Sequence, residues 1–140
     1  MILEASKQHL DEILEIESGS FEKPWSYQSF LSEIRNSVGS NWVFIDNSKL
    51  SGYMFGWILD EDYHINNIAV KASERRKGVA KKMIDNIIFS PKIKNIYLEV
   101  SRLNNEAINL YERIGFSQNG LRKKYYNNGA DAVLYKMEIK

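Results

Sequence analysis

The chain has 140 residues, of which 44% are hydrophobic and 26% charged, and a net charge of +1. This suits a single domain, residues 1–140, around one core, and it gives no global attraction to nucleic acid or to a membrane surface. There is no cysteine, which excludes disulfides, thiolate metal sites and a cysteine nucleophile.

Residues 1–14 carry charges throughout and lack the apolar core of a secretion signal. No apolar run approaches the roughly 20 residues of a membrane span, so the expected compartment is the cytoplasm. Residues 2–5 read as a short strand. Ser6 is placed to cap a helix with Leu10, Ile13, Leu14 and Glu17 at helical spacing, which Gly19 should end. Residues 21–25, Phe-Glu-Lys-Pro-Trp, form a loop whose exit Pro24 fixes. Ser26 caps a second helix with Phe30, Leu31 and Ile34 inward, and Trp25 stands where a hydrophobic staple would. Residues 42–45, 50–59 and 63–70 read as strands, joined by turns at 47–49 and 60–62. A helix over 79–89 puts Val79, Ala80, Met83, Ile84, Ile87 and Ile88 on one face, and Ser90-Pro91 stops it. Residues 96–100 are a strand, and Asn105–Ile114 a short helix with Gly115 at its C-terminal cap. Two last strands, around 116–125 and 132–139, flank the turn Asn127-Asn128-Gly129.

The order predicts an α/β domain with a mixed, mostly antiparallel sheet of about seven strands and about four helices. The strand–loop–helix–strand segment from 63 to 100 is one crossover unit, so its two strands should be parallel neighbours. Its loop is the most informative stretch of the chain. Glu74-Arg75-Arg76-Lys77-Gly78-Val79-Ala80 joins a strand to a helix start. A helix N-terminus offers unpaired N–H groups and partial positive charge. Gly78 lets an anion approach the backbone, and Arg75, Arg76, Lys77, Lys81 and Lys82 add full charges. A phosphate-bearing cofactor is the expectation; a solvated basic helix start is the plainer alternative. Glu99 lies inside an apolar strand, with Ile96, Leu98 and Val100 on the opposite face from Tyr97 and Glu99. An unpaired buried carboxylate is costly, so Glu99 must face a cleft or have a partner such as a nearby Arg or Lys.

Four stretches make the chain resemble the GNAT superfamily of N-acetyltransferases. They are 75–80, which fits the Gln/Arg-x-x-Gly-x-Gly/Ala pyrophosphate pattern with alanine last; Asn67-Ile68-Ala69-Val70 before it; Leu98-Glu99-Val100 followed by residues 104–116; and the tail 122–126 with 128–132. With residues 21–26 near the front, they are similar to the branch that acetylates the N-terminal alanine of a ribosomal protein. The resemblance covers nearly the whole chain.

It implies acetyl-CoA as acetyl donor, with the pyrophosphate on the backbone from about Arg76 to Lys81. It also implies that Ile68, Ala69 and Val70 pair with the pantetheine arm, where the parallel strands splay and the cofactor satisfies backbone groups that no strand reaches. Asn104 matches a cofactor-contacting position, compatible with an ordinary helix cap. Glu99 is implied as general base and Tyr111 as general acid to the departing thiolate, although Tyr111 also sits at helical spacing for a core aromatic. Phe21, Glu22 and Trp25 should line one wall of a peptide groove, and Tyr125 and Tyr126 the other. Neighbouring strand residues point to opposite faces, so only one of the two tyrosines is expected to reach substrate. His64 is a rival base, and Glu22 matches a position where some relatives place a second carboxylate, which could bind the substrate ammonium or assist as base. There is no ligand set for a catalytic metal. Direct amine attack is expected rather than an acyl-enzyme, because no serine has an evident base.

An α-amine titrates near 7.7–8.0 and a lysine near 10.4, so a lysine costs roughly 3.5 kcal/mol more to deprotonate. That suits a protein N-terminus, of a ribosomal protein on the resemblance, as substrate. Lysine side chains or small amines are the alternative substrates. A non-catalytic acyl-CoA-binding module is the alternative class. A nucleotide-binding regulator would need the longer glycine-rich loop of P-loop sites.

Overall fold

The computed structural model describes residues 1–126 and 128–139. The strands are β1 (Ile2–Glu4), β2 (Gly39–Asp46), β3 (Lys49–Leu59), β4 (Asp62–Val70), β5 (Asn95–Ser101), β6 (Ser117–Arg122) and β7 (Ala132–Glu138). The helices are α1 (Leu10–Ser20), α2 (Tyr27–Arg35), α3 (Val79–Ile88) and α4 (Asn105–Ile114). All seven strands join one sheet in the order β1-β2-β3-β4-β5-β7-β6, and β4–β5 is its parallel pair. No helix among the described residues is long and apolar enough to cross a membrane.

Local chemistry accounts for most element ends. Ser26 Oγ accepts the Ser29 N–H (3.1 Å) to cap α2. The Trp25 and Phe30 rings, 5.1 Å apart, form the staple across that cap. Asn104 caps α4 by accepting from Ala107 N (3.1 Å), and Gly115 at φ 127° lets the chain leave it. Asn47 and Ser48, both left-handed, make the tight β2–β3 turn.

Strand β2 begins at Gly39, three residues before the expected start, and three other boundaries also differ from expectation. Ser6 precedes a short 3-10 turn (Lys7–His9), with reciprocal Ser6–His9 bonds, and the α-helix begins only at Leu10. Gly19 lies inside α1, which runs to Ser20, where the Ser20 hydroxyl donates back to Ile16 O (2.6 Å). Strand β6 stops at Arg122 instead of continuing to 125. Lys124 takes a left-handed φ of 51°, and its N–H turns to Asp131 Oδ1 (2.9 Å). Of the expected last turn, Asn127 lies outside the described residues. Gly129, at φ 81°, donates to Tyr126 O (2.9 Å).

Helices α1 and α2 cover one face of the sheet, packing Leu10, Ile13 and Phe30 against Tyr53 and Phe55. Helices α3 and α4 cover the other, where Met83, Ile84 and Tyr111 meet Met54, Tyr63 and Leu98. Strand β4 changes faces along its length. Phe55 pairs with Asn67 and Gly56 with Ile65, so Asn66 is an extra residue, a bulge. Before it, Tyr63 and Ile65 face α3; after it, Asn67 and Ala69 face α1, while Ile68 and Val70 face α3. One inserted residue reverses every side chain that follows it.

The parallel pair is short. Only Asp62↔Asn95, Tyr63↔Ile96 and His64↔Tyr97 are in register. Beyond His64 the strands part, and β4 keeps only its β3 neighbour.

Candidate active site

The gap between β4 and β5 opens onto a groove of about 1020 Å³ on the α1/α2 side. Ile65 and Asn66 line it from β4, and Leu98 and Glu99 from β5. Trp25 and the polar face of α2 (Gln28, Ser29, Ser32) form one wall. Arg122, Tyr125 and Tyr126 form the other. The alternation that placed Ile96, Leu98 and Val100 in the core turns Glu99 outward into this groove.

Glu99 is both open and partnered. Its side chain is 32% exposed, and its Oε1 lies 3.2 Å from the Arg122 guanidinium. The same guanidinium stands 5.3 Å from the centre of the Tyr125 ring. Tyr125 meets Tyr126 edge-on at 5.3 Å. Burial pushes the Tyr126 hydroxyl up, and the Glu99 carboxylate and Tyr125 add to the rise. Both tyrosines line the groove, because they sit in a loop, where the strand alternation behind the expectation of a single substrate contact does not apply. His64 also reaches the groove, with its ring stacked on Tyr97 at 5.0 Å. Phe21 and Glu22 do not figure among the described lining residues: α1 ends just before them, and only Trp25 turns inward.

Tyr111 is on the opposite face of the sheet. It packs in the α3/α4 core, edge-on to Phe116 at 5.8 Å, and burial pushes its hydroxyl above the ordinary phenol value. Glu99 and Tyr111 thus lie on opposite faces of the sheet. Asn104 spends its side-chain oxygen on the α4 cap.

The basic loop has a built concavity. Arg76 (φ 64°) and Gly78 (φ 79°) are both left-handed, a backbone shape that turns N–H groups toward one centre. Among the described residues, none of the N–H groups from Arg76 to Lys81 makes a loop or cap hydrogen bond; the first to do so is Lys82, to Gly78 O (3.0 Å). A Cβ on Gly78 would meet nothing within 4 Å, so the space over it is open. The side chains are mostly engaged elsewhere. Arg75 Nε donates to Val70 O (3.0 Å), Lys77 pairs with Glu74 (2.7 Å) and Lys81 with Asp85 (2.8 Å). Lys82 lies over the Phe44 ring, 5.7 Å from its centre. Anion binding here would rest on backbone donors, with Arg75 closing the end of the open β4 edge. Free donors, open space above a glycine and an unpaired strand edge fit a diphosphate with an amide-bearing arm.

Three features of the site were not singled out from the sequence. Asn66 makes the bulge; its signal is the Asn66-Asn67 pair, which stretches the apolar spacing from two to three between Ile65 and Ile68. Arg122 pairs with Glu99, a contact across strands without a local signal. Glu17, at an inward helical position, carries a charge into an apolar face.

The acetyltransferase (GNAT) family profile matches residues 10–116. A Bacillus subtilis (strain 168) protein, provisionally named a ribosomal protein bS18-alanine N-acetyltransferase, is 33% identical over 132 residues, spanning 91% of this chain and 87% of its own. The crystal structure of the ribosomal-protein-S18-alanine N-acetyltransferase from Escherichia coli superposes with a TM-score of 0.89 at 26% identity, covering 100% of this chain and 94% of that one. Arabidopsis thaliana NAA60 in complex with acetyl-CoA shares the fold, with a TM-score of 0.87 at 20% identity, over 99% of this chain and 98% of that one. The chain belongs to the GNAT acetyltransferase family.

Proposed function

We propose that residues 1–140 act as one domain, a cytoplasmic N-α-acetyltransferase that moves an acetyl group from acetyl-CoA to a protein N-terminus, with a ribosomal protein as substrate. The observation that carries this reading is the split sheet: a loop of free N–H donors and an open β4 edge lead to a gap that Glu99 faces from the groove, with Tyr111 on the other face of the sheet. The names of the bacterial relatives support the substrate class.

In this reading the N–H groups of Arg76, Lys77, Gly78, Val79, Ala80 and Lys81 hold the diphosphate. Ile68, Ala69 and Val70 offer backbone partners to the pantetheine arm, and Asn104 a side-chain contact. Acetyl-CoA supplies an activated thioester. Trp25, Tyr125 and Tyr126 hold the incoming peptide, and Phe21 and Glu22 contact it only beyond the groove. Glu99 takes a proton from the substrate amine, directly or through a water, while Arg122 engages only Oε1. The amine nitrogen bonds to the carbonyl carbon as the carbon–sulfur bond breaks, and Tyr111 Oη gives its proton to the sulfur. In the same reading the backbone N–H groups at the β4 bulge polarise the carbonyl oxygen.

A panel of short alanine-starting peptides tests the proposal, with free N-termini, blocked N-termini or an internal lysine. Thiol release and mass spectrometry follow the reaction. Acetylation confined to free α-amines is expected. Modification of lysine under a blocked N-terminus would overturn the substrate class, and no turnover with any amine would overturn the activity.

A further inference from the structure

Glu17 on α1 is 1% exposed, yet no cation stands among its described partners. Its Oε1 accepts from Tyr53 Oη (2.5 Å) and from Asn67 Nδ2 (2.9 Å). Its Oε2 accepts from the backbone N–H of Trp25 (2.9 Å). All three partners donate, and the contact to Tyr53 has the short length of a bond to a charged oxygen, so the group is a carboxylate. A buried, unpaired charge is an expensive way to fill a helix position whose neighbours are apolar. Two of its three donors explain it. Trp25 is a wall of the groove, and its ring also packs on Phe30 and Phe55. Asn67 directly follows the bulge residue Asn66, and the face reversal at that bulge is what brings its side chain to α1.

Building on the acetyltransferase reading, we infer that Glu17 is a positioning residue. It ties the Trp25 wall to the bulged strand, and so sets the width of the peptide groove and the aim of the β4 backbone at the gap. It touches neither substrate nor cofactor. Tyr53, the third donor, lines no part of the groove and belongs to the core alone.

The test compares Glu17→Gln with Tyr53→Phe in the full chain. A carboxamide offers one acceptor oxygen instead of two, so it cannot serve both walls at once. Tyr53→Phe removes only the core donor. The readouts are KM for an alanine-starting peptide, KM for acetyl-CoA, kcat, the unfolding midpoint, and hydrogen exchange at the Trp25 amide. For Glu17→Gln, peptide KM should rise about tenfold, the loss of a hydrogen bond to a charged group. Its acetyl-CoA KM should hold, and Trp25 exchange should quicken. Tyr53→Phe should lower the midpoint and leave peptide KM and Trp25 exchange as they are. The inference falls if Tyr53→Phe raises peptide KM as much as Glu17→Gln does. Unchanged peptide KM and Trp25 exchange in Glu17→Gln would also overturn it. Should Glu17→Gln fail to fold, Asn67→Ala carries the test: it releases the strand while sparing the Trp25 bond, and an unchanged peptide KM defeats the inference. If the wild-type chain acetylates no peptide, the functional reading fails, and the Trp25 exchange comparison still decides the role of Glu17.

Discussion

Burial holds the Tyr111 hydroxyl protonated well above the ordinary phenol value of 10.0. A phenol in that state donates a hydrogen bond at any pH where the amine substrate is reactive, and no alkaline loss of kcat below about pH 10 should trace to it. Tyr111→Phe removes the donor and keeps the edge-on contact with Phe116, so it should lower kcat about 10²-fold or more while acetyl-CoA affinity holds. Glu99→Gln should do the same from the groove side, and steady-state kinetics beside calorimetric titration separates the two effects. Wild-type rates in both variants would defeat the proposed roles. Arg122 complicates the view of Glu99 as a free base. At 54% exposure its ion pair is a solvated one, weak enough for a substrate ammonium to compete with it.

Among the elements, β4 decides the site. Its hydrogen bonds to β3 continue past the point where β5 leaves, and its bulge sits at that point. Gly56, opposite the bulge, has no room for a side chain: an added Cβ would lie 2.4 Å from Tyr63 Cζ and 2.6 Å from His64 O. Tyr63 cannot move aside freely, because its hydroxyl donates to Ser40 O (2.8 Å). Gly56→Ala should therefore destabilise the fold by about 1–3 kcal/mol, the usual cost of overpacking a core. It should also disturb the splay, seen as weaker acetyl-CoA binding; a urea midpoint equal to wild type would contradict this. The β6–β7 loop is tied down by charge instead of packing. Its Asp131 carboxyl is held low, chiefly by the Lys124 N–H and also by Arg102, which steadies the tyrosine-bearing loop.

Across the whole molecule, the two cores are built around tyrosines whose protons the fold retains. Burial pushes Tyr53, Tyr63 and Tyr111 upward, with Glu17 adding to the rise at Tyr53. The unfolded chain loses these protons near pH 10, while the folded chain keeps them. Unfolding then releases protons, and stability must fall as pH climbs past 10, by about 1.4 kcal/mol per pH unit for each such tyrosine. Urea unfolding at pH 9 and at pH 11 measures this. Tyr63→Phe should flatten the slope, and a stability flat to pH 11 would contradict the burial of these groups.

The order of elements, the parallel crossover and the basic loop at a helix start were all legible in the sequence, because each is written locally. Helical spacing, caps such as Ser26 and Asn104, and a glycine amid cations act over a few residues. The candidate base and the two tyrosines were legible as residues but not in their surroundings. Local spacing could not tell that β6 ends early, which puts both Tyr125 and Tyr126 in the groove, or that Arg122 faces Glu99. Nor could it tell that Glu17 joins Tyr53 and Asn67, 36 and 50 residues away. Those are long-range: the first two follow from how β6 pairs with β7 and β7 with β5, and the Asn67 contact from the extra residue at Asn66 in the pairing of β4 against β3.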